Sequence, residues 1–147
     1  MSKATKYPLV SIGIPTYNRS GGLCRTLMSL WAQEYPNLEI IISDNNSTDD
    51  TEEFIDVVSR IHPEIKYYRQ PSNIGMIKNF EFVLREARGK YFMWVADDDI
   101  LENGVLRKYV RFLEEHSDYV LVSGAIKYWL NPLKKIVLVV YDYRQPF

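Results

Sequence analysis

The chain has 147 residues, 46% of them hydrophobic and 25% charged, which are the proportions of one soluble globular domain with a real core. A formal net charge of −1 gives no global electrostatic reason to expect nucleic acid or an anionic membrane as partner. The single cysteine, Cys24, excludes an internal disulfide and a cysteine-based zinc site and fits a reducing compartment.

The N-terminal MSKATKYPLVSIGIP lacks the long apolar core of a signal peptide. The segment PLVSIGIP, 8–15, reads as a buried strand closed by Pro15, which cannot donate to a ladder. The loop TYNRSGG follows. From Leu23 a helix is expected, because Leu23, Leu27, Leu30 and Trp31 share one helical face. Pro36 stops it. LEIIISD, 38–44, is a second strand, apolar on both faces as central parallel strands are. NNSTDDTEEF then opens a helix, with Ser47 or Thr48 as its cap and Asp49, Asp50, Glu52 and Glu53 at the positive end of its dipole. Phe54, Ile55 and Val58 form its buried stripe.

IKYYRQ is a third, shorter strand and PSNIG a loop. The helix after it carries Phe80, Val83, Leu84 and Ala87, with Gly89 suited to terminate it. KYFMWVA, 90–96, is a fourth strand that runs straight into Asp97, Asp98 and Asp99. A helix with Leu106, Tyr109, Val110 and Leu113 comes next, then the strand-like YVLVSG, 119–124. IKYWL and KIVLVVYDY flank the turn signal Asn131-Pro132 and look like an antiparallel pair. KIVLVVY is far short of the roughly 20 residues of a membrane helix.

Five strands alternate with four helices before the hairpin. That pattern predicts an α/β fold: a mostly parallel, Rossmann-like sheet with helices on both faces and a C-terminal antiparallel hairpin, forming one domain over 1–147. Ligands of such sheets bind beyond the carboxyl ends of the strands. PTYNR, SDNNSTDD, QPSNIG and ADDDI all fall there, so residues distant in sequence meet on one rim.

Three adjacent carboxylates with no cation beside them in sequence suit a divalent ion. Mg²⁺ and Mn²⁺ prefer oxygen ligands and are often held by one or two carboxylates plus substrate phosphates. The bland reading is a solvated acidic turn before a helix. Asp44 and Asn45 lie where the rim opens and suit the edge of a base or a ribose. Ser47, Thr48, Asp49 and Asp50 read as an ordinary turn and cap. Tyr17 suits a base or ribose face and Arg19 a phosphate. Asn73, a permissive Gly75 and Lys78 complete the rim, although a lone lysine is usually solvated surface. The sum matches a nucleoside diphosphate with its metal. A receiver domain or a phosphatase needs acidic residues after the first strand, where this chain has PTYN. A nucleotidyltransferase typically has a basic, Gly-rich loop there.

VSIGIPTYNR, EIIISDNNSTDDT, NIGMIKNFEFVL and GKYFMWVADDDIL together resemble the four ordered motifs of the family 2 glycosyltransferases with the GT-A fold, over about Val10 to Leu106. The resemblance implies an enzyme that transfers a sugar, with inversion, from a nucleoside-diphosphate sugar to an acceptor hydroxyl. By position it implies nucleotide binding at Thr16, Tyr17, Asn18, Asp44 and Asn45 and at the diphosphate-binding Asp97 and Asp98, to which the rim reading adds Pro15, Arg19, Asn73, Gly75 and Lys78. It places the DXD-type element on Asp97, Asp98 and Asp99, with Mn²⁺ or Mg²⁺ as cofactor. A UDP-sugar is the expected donor, a saccharide or lipid-linked molecule the acceptor, and the cytoplasm or the inner face of the membrane the location.

The chain departs from the family pattern in three ways. Asn45 stands where the family often has a second acid. Met76, Ile77 and Lys78 stand where it usually has small residues and an arginine. Its catalytic base comes from a later half, and Asp142 comes too soon to serve. The chain therefore reads as the nucleotide-sugar half of such an enzyme, shortened at its C-terminus; a binding fragment without a base is the alternative. Tyr128, Trp129, Val137, Val139 and Tyr141 then want cover, which implies association between copies through the residues after about Tyr119.

Overall fold

The computed structural model of the protein describes residues 7–124 and, as backbone strands, 126–130 and 135–139. Two compact units divide the chain, Met1–Val110 and Arg111–Phe147.

The first unit is built on four parallel strands: β1 (Val10–Thr16), β2 (Leu38–Asp44), β3 (Ile65–Arg69) and β4 (Tyr91–Trp94). Their order across the sheet is β3-β2-β1-β4. Helices α1 (Ser20–Trp31), α2 (Thr51–Ser59) and α3 (Met76–Glu86) connect them, and α4 (Val105–Glu115) follows β4.

Alternation along the central strands sorts the helices onto two faces. Val10, Ile12 and Ile14 of β1 and Ile40 and Ile42 of β2 join Leu23, Leu27 and Leu30 of α1, Ile55 of α2, and Leu106 and Val110 of α4 in one buried cluster. The intervening residues point the other way. A Cβ on Gly13 would stand 2.7 Å from Val83 of α3 and 2.7 Å from the Phe92 ring, so glycine is what lets α3 lie this close to the sheet. On the same face Ser43 Oγ donates to Asn79 Oδ1 at 2.5 Å, and Asn79 Nδ2 donates to the Ser43 carbonyl at 2.9 Å.

At the amino end of the strands, paired residues Ser11 and Glu39 found a second polar cluster. Ser11 Oγ donates to Glu39 Oε1 at 2.5 Å, Lys66 Nζ to Oε2 at 2.5 Å, and the Arg88 N–H to Oε1 at 2.7 Å. The Gly89 N–H donates to Ser11 Oγ, and a Cβ at Gly89 would meet that oxygen at 2.6 Å. Gly89 is therefore required by this close approach, whereas Ala87 caps α3. Burial works against ionisation of Glu39, but these hydrogen bonds and the Lys66 charge outweigh it and hold the carboxyl below its usual range.

The helix caps differ from expectation in one further place. The N-cap of α2, Asp50, makes no side-chain capping bond, and Asp49 Oδ1 accepts the N–H of the first helical residue, Thr51, at 3.2 Å. Ser47 Oγ instead accepts the Asn18 N–H at 2.9 Å, tying the first loop to the second.

In the second unit β5 (Ile126–Leu130) and β6 (Lys135–Val139) pair antiparallel, as the hairpin pattern predicts. The segment 119–124, expected as a strand, forms none: Val120 is 98% exposed, and among the described residues no neighbour takes up the segment's ladder bonds. Asn131-Pro132, Tyr141 and Asp142 lie outside the described residues, as do the side chains of both hairpin strands. Among the described residues no helix is long and apolar enough to cross a membrane.

The Glu39 cluster sets an acid limit. A carboxyl held below its ordinary value of 4.5 stabilises the fold above that value, and the contribution is lost as pH falls through the lower folded value. Glu39→Gln should cost about 2 kcal/mol at pH 7 by urea unfolding, as charged hydrogen bonds do. The gap to the parent should narrow toward pH 3; a gap that stays constant with pH would contradict this.

Candidate functional site

The reversal in strand order lies at β1. β2 and β3 follow it on one side and β4 returns on the other, so the carboxyl ends of β1 and β4 diverge. Gly13 accepts the Val95 N–H at 3.0 Å, the last bond between the two segments before the chain turns away at Ala96. Two residues on, Pro15 faces the same side, where its missing N–H forfeits no ladder bond. The opening is a cleft of about 420 Å³ lined by Pro15, Thr16, Tyr17, Arg19, Asn45, Asn73, Met76, Asn79, Phe80, Ala96, Asp97 and Asp98.

Thr16 and Asp97 close the floor. Thr16 Oγ1, fully buried, donates to Asp97 Oδ2 at 2.7 Å. Burial pushes the Asp97 carboxyl up; the Thr16 hydrogen bond and the Arg19 charge oppose that, and the Asp98 charge adds to it. Arg19 Nη1 pairs with Asp98 Oδ2, and its Nε lies 3.9 Å from Asp97 Oδ1. The aspartate run, bare of cations in sequence, therefore has one in space, delivered across 79 residues by the fold.

The second wall comes from the loops after β2 and β3. Asn45 Nδ2 donates to Asn73 Oδ1 at 2.9 Å, and Asn45 Oδ1 accepts the Ile74 N–H at 2.8 Å. Asn73 Oδ1 also accepts the Gly75 N–H at 2.9 Å, and Gly75, at φ 84°, takes a backbone conformation that favours glycine. Tyr17 is 45% exposed, its ring free on the cleft wall.

Some expected site residues do other work. Asp44 is fully buried, accepting the Ser47 N–H and the Tyr67 hydroxyl, each at 2.8 Å. Burial of Tyr67 and its bond to the Asp44 carboxylate push the Tyr67 hydroxyl up, so the phenol keeps its proton and remains the donor. Asn18, at φ 53°, accepts the Thr48 N–H at 2.7 Å and braces the loop beneath the cleft. Gly75 shapes a turn, Lys78 is exposed, and neither is on the cleft wall; nor is Asp99, whose carbonyl is the group that is held.

What holds it is a stripe on α1 that apolar periodicity does not reveal. Thr26, Ser29 and Gln33 are buried on one helical face continued past the end of α1. Thr26 Oγ1 donates to the Asp99 carbonyl at 2.9 Å, and Ser29 Oγ accepts the Leu101 N–H at 3.1 Å. Gln33 Nε2 donates to the Glu102 carbonyl at 3.0 Å and Oε1 accepts the Leu106 N–H at 3.3 Å. Met76, Asn79 and Phe80 at the start of α3 are also cleft residues that a search for charges passes over. Polar residues repeating at three and four inside an apolar helical pattern were the available signal for the stripe.

Among the described residues no three His, Cys, Asp or Glu side chains gather to hold a metal ion. An ion held by one or two carboxylates, phosphate oxygens and water requires no such trio. Asp97 and Asp98, adjacent on the cleft wall with oxygens held by the Thr16 hydroxyl, the Tyr17 backbone N–H and an exposed arginine, fit that mode.

A parallel α/β sheet with its cleft at the switch point has its opening where proteins of this class bind their ligands. The family model Glycosyl transferase family 2 matches residues 11–138, and the chain belongs to that family. It is 40% identical over 116 residues to the abequosyltransferase RfbV of Salmonella typhimurium, covering 77% of this chain and 35% of that protein. It is 35% identical over 100 residues to the GalNAc(5)-diNAcBac-PP-undecaprenol beta-1,3-glucosyltransferase of Campylobacter jejuni, covering 67% of this chain and 32% of that one. Among solved structures, S. aureus TarS 1–349 in complex with UDP-GlcNAc matches with a TM-score of 0.69 at 28% identity, over 74% of this chain and 32% of that one. The mannosyltransferase PcManGT from Pyrobaculum calidifontis, in complex with GDP-Man and Mn²⁺, matches with a TM-score of 0.67 at 25% identity, over 74% and 33%. The sheet and its helices thus have the GT-A architecture. The chain spans about a third of the length of these relatives.

Two neighbouring glycines test how tightly α1 seats the aspartate loop. A Cβ at Gly21 meets nothing within 4 Å, whereas one at Gly22 would stand 2.7 Å from the Asp97 carbonyl oxygen. Gly21→Ala should stabilise by up to about 1 kcal/mol through helix propensity. Gly22→Ala should destabilise instead and weaken any ligand that touches Asp97. Urea midpoints for the two variants check the opposite signs.

Proposed function

We propose that residues 1–147 form the nucleotide-sugar-binding part of a family 2 glycosyltransferase that passes a sugar, with inversion, from a nucleoside-diphosphate donor to an acceptor hydroxyl. The observation that carries it is the cleft at the strand-order reversal. It joins an exposed aromatic ring, Tyr17, the amide pair Asn45–Asn73, and the charged set Arg19, Asp97 and Asp98. The complexes of TarS with UDP-GlcNAc and of PcManGT with GDP-Man and Mn²⁺ support a nucleotide-sugar donor and a divalent cofactor.

In this reading Tyr17 lies against the base or ribose, and Asn45 and Asn73 border the nucleoside. Asp44 acts indirectly: it fixes the turn that carries Asn45. Asp97 and Asp98 would hold Mn²⁺ or Mg²⁺, and that ion, when bound, supplies Lewis-acid neutralisation of the departing diphosphate. Thr16 keeps Asp97 oriented, and the α1 stripe keeps the loop backbone from shifting as charge is exchanged. Asp97 is engaged by Thr16 and Asp98 by Arg19, so neither is assigned as the base that deprotonates the acceptor; that base belongs outside the cleft. The same observation favours, as a second reading, binding without transfer by this chain alone. The Campylobacter relative's undecaprenol-linked substrate supports a lipid-linked saccharide as acceptor, met at the inner face of the membrane.

Calorimetry with UDP checks the donor site. Binding should be substantially tighter with Mn²⁺ than with EDTA. Asp98→Ala should abolish that difference while leaving the urea midpoint within about 0.5 kcal/mol of the parent, because its ion pair is exposed. Equal affinity with and without EDTA would remove the metal role. Turnover of a UDP-sugar by the 147-residue chain would remove the binding-only reading.

A further inference from the structure

Arg19 is, among the described residues, the one cationic side chain on the cleft wall, and it is spent on the aspartate pair. Its side chain is 56% exposed and that of Asp98 48%, so the pair is a weak, solvent-screened bridge. Its backbone neighbour Asn18 is pinned to Ser47 and Thr48, so a change of partner requires the arginine side chain to swing and not the loop. Around it the cleft lining offers carboxylates, amides, two hydroxyls and apolar groups, so no second cation in the wall competes with Arg19 for the aspartates.

We propose that Arg19 is a placeholder cation: it neutralises Asp98 in the ligand-free chain, yields that oxygen to the divalent ion when a nucleoside diphosphate enters, and then pairs with the diphosphate itself. The role rests on the nucleotide and metal reading above. A guanidinium and a divalent ion sharing one Asp98 oxygen would stand roughly 4 Å apart, and the repulsion between them favours departure of the arginine. Three consecutive carboxylates left bare would repel one another, which gives the free chain a reason to keep a cation there. A planar guanidinium released in a cleft beside phosphate oxygens has bidentate geometry for them. The arginine therefore opposes metal binding in the absence of nucleotide and assists it in its presence, coupling the two ligands.

The opposed signs make the test. Calorimetry on the 147-residue chain would compare parent, Arg19→Gln and Arg19→Lys, titrated with Mn²⁺ alone and with UDP at saturating Mn²⁺. Arg19→Gln should bind Mn²⁺ alone up to about five-fold tighter, the most an exposed bridge is worth. The same variant should bind UDP with Mn²⁺ several-fold more weakly, and Arg19→Lys should fall between. Thermal unfolding of each variant confirms that the fold is intact. If the parent binds UDP in a Mn²⁺-dependent way but Arg19→Gln leaves the Mn²⁺-alone affinity unchanged or weaker, the placeholder role is wrong and the site reading stands. If the parent binds neither ligand, the site reading falls and takes this role with it.

Discussion

The Thr16–Asp97 hydrogen bond spans the one place where the sheet changes direction. β1 is the central strand from which β2 and β3 are laid outward on one side and β4 on the other. Parallel strands that part at such a point leave a crevice whose walls come from different connections, which is why this topology collects ligands there. The parting must be controlled, since a loop carrying three carboxylates gains nothing from packing inward. Thr16 sets the floor by donating to Asp97 from a fully buried position, and Pro15 removes a donor that the diverging strand cannot use. Everything proposed for the cleft, from Tyr17 at its wall to the metal at Asp97 and Asp98, depends on this separation being wide and fixed.

Helix α1 does most of the fixing. Its leucines fill the core on one side, while Thr26, Ser29 and Gln33 turn toward the backbone that runs from Ala96 to Leu106. A buried hydrogen bond of this kind contributes about 1 kcal/mol net, and an orphaned partner costs about 1–3 kcal/mol. These bonds therefore stabilise the fold modestly but define strongly where the aspartates stand. Gly22 adds a steric condition, since only a residue without a Cβ lets the helix approach the Asp97 carbonyl. In the proposed exchange of partners the aspartate side chains move at the rim while these bonds hold their backbone.

Much of this was legible in the residues. The buried pattern of PLVSIGIP and the unbroken apolar run Ile40–Ile42 announced the inner strands, the β-α alternation announced a parallel sheet, and the polar loops at the strand ends announced the rim. Family resemblance in four ordered motifs named the class. What stayed hidden was set by contacts between distant segments. Arg19 meets Asp98 only after folding, so the aspartate run looked uncompensated. Asp44 sits at the strand end like a ligand-facing acid, yet the Ser47 amide and Tyr67 hydroxyl take its oxygens. Gly89 follows a helix as a terminator would, but a serine oxygen behind it is the reason for glycine. The run 119–124 has strand composition and, among the described residues, no strand beside it. In each case the presence or absence of a tertiary partner, and not local propensity, decided the outcome.

The account stands on the cleft at the strand reversal being the nucleoside-diphosphate site. Amide-resolved NMR of the 147-residue chain, titrated with UDP in the presence of Mg²⁺, tests that directly. The account predicts saturable shifts concentrated at Thr16, Tyr17, Arg19, Asn45, Asn73, Asp97 and Asp98, with Glu39, Lys66 and Gly89 at the opposite end of the strands unmoved. Saturable shifts centred on that opposite end, or no saturable shifts at the cleft residues, would contradict it.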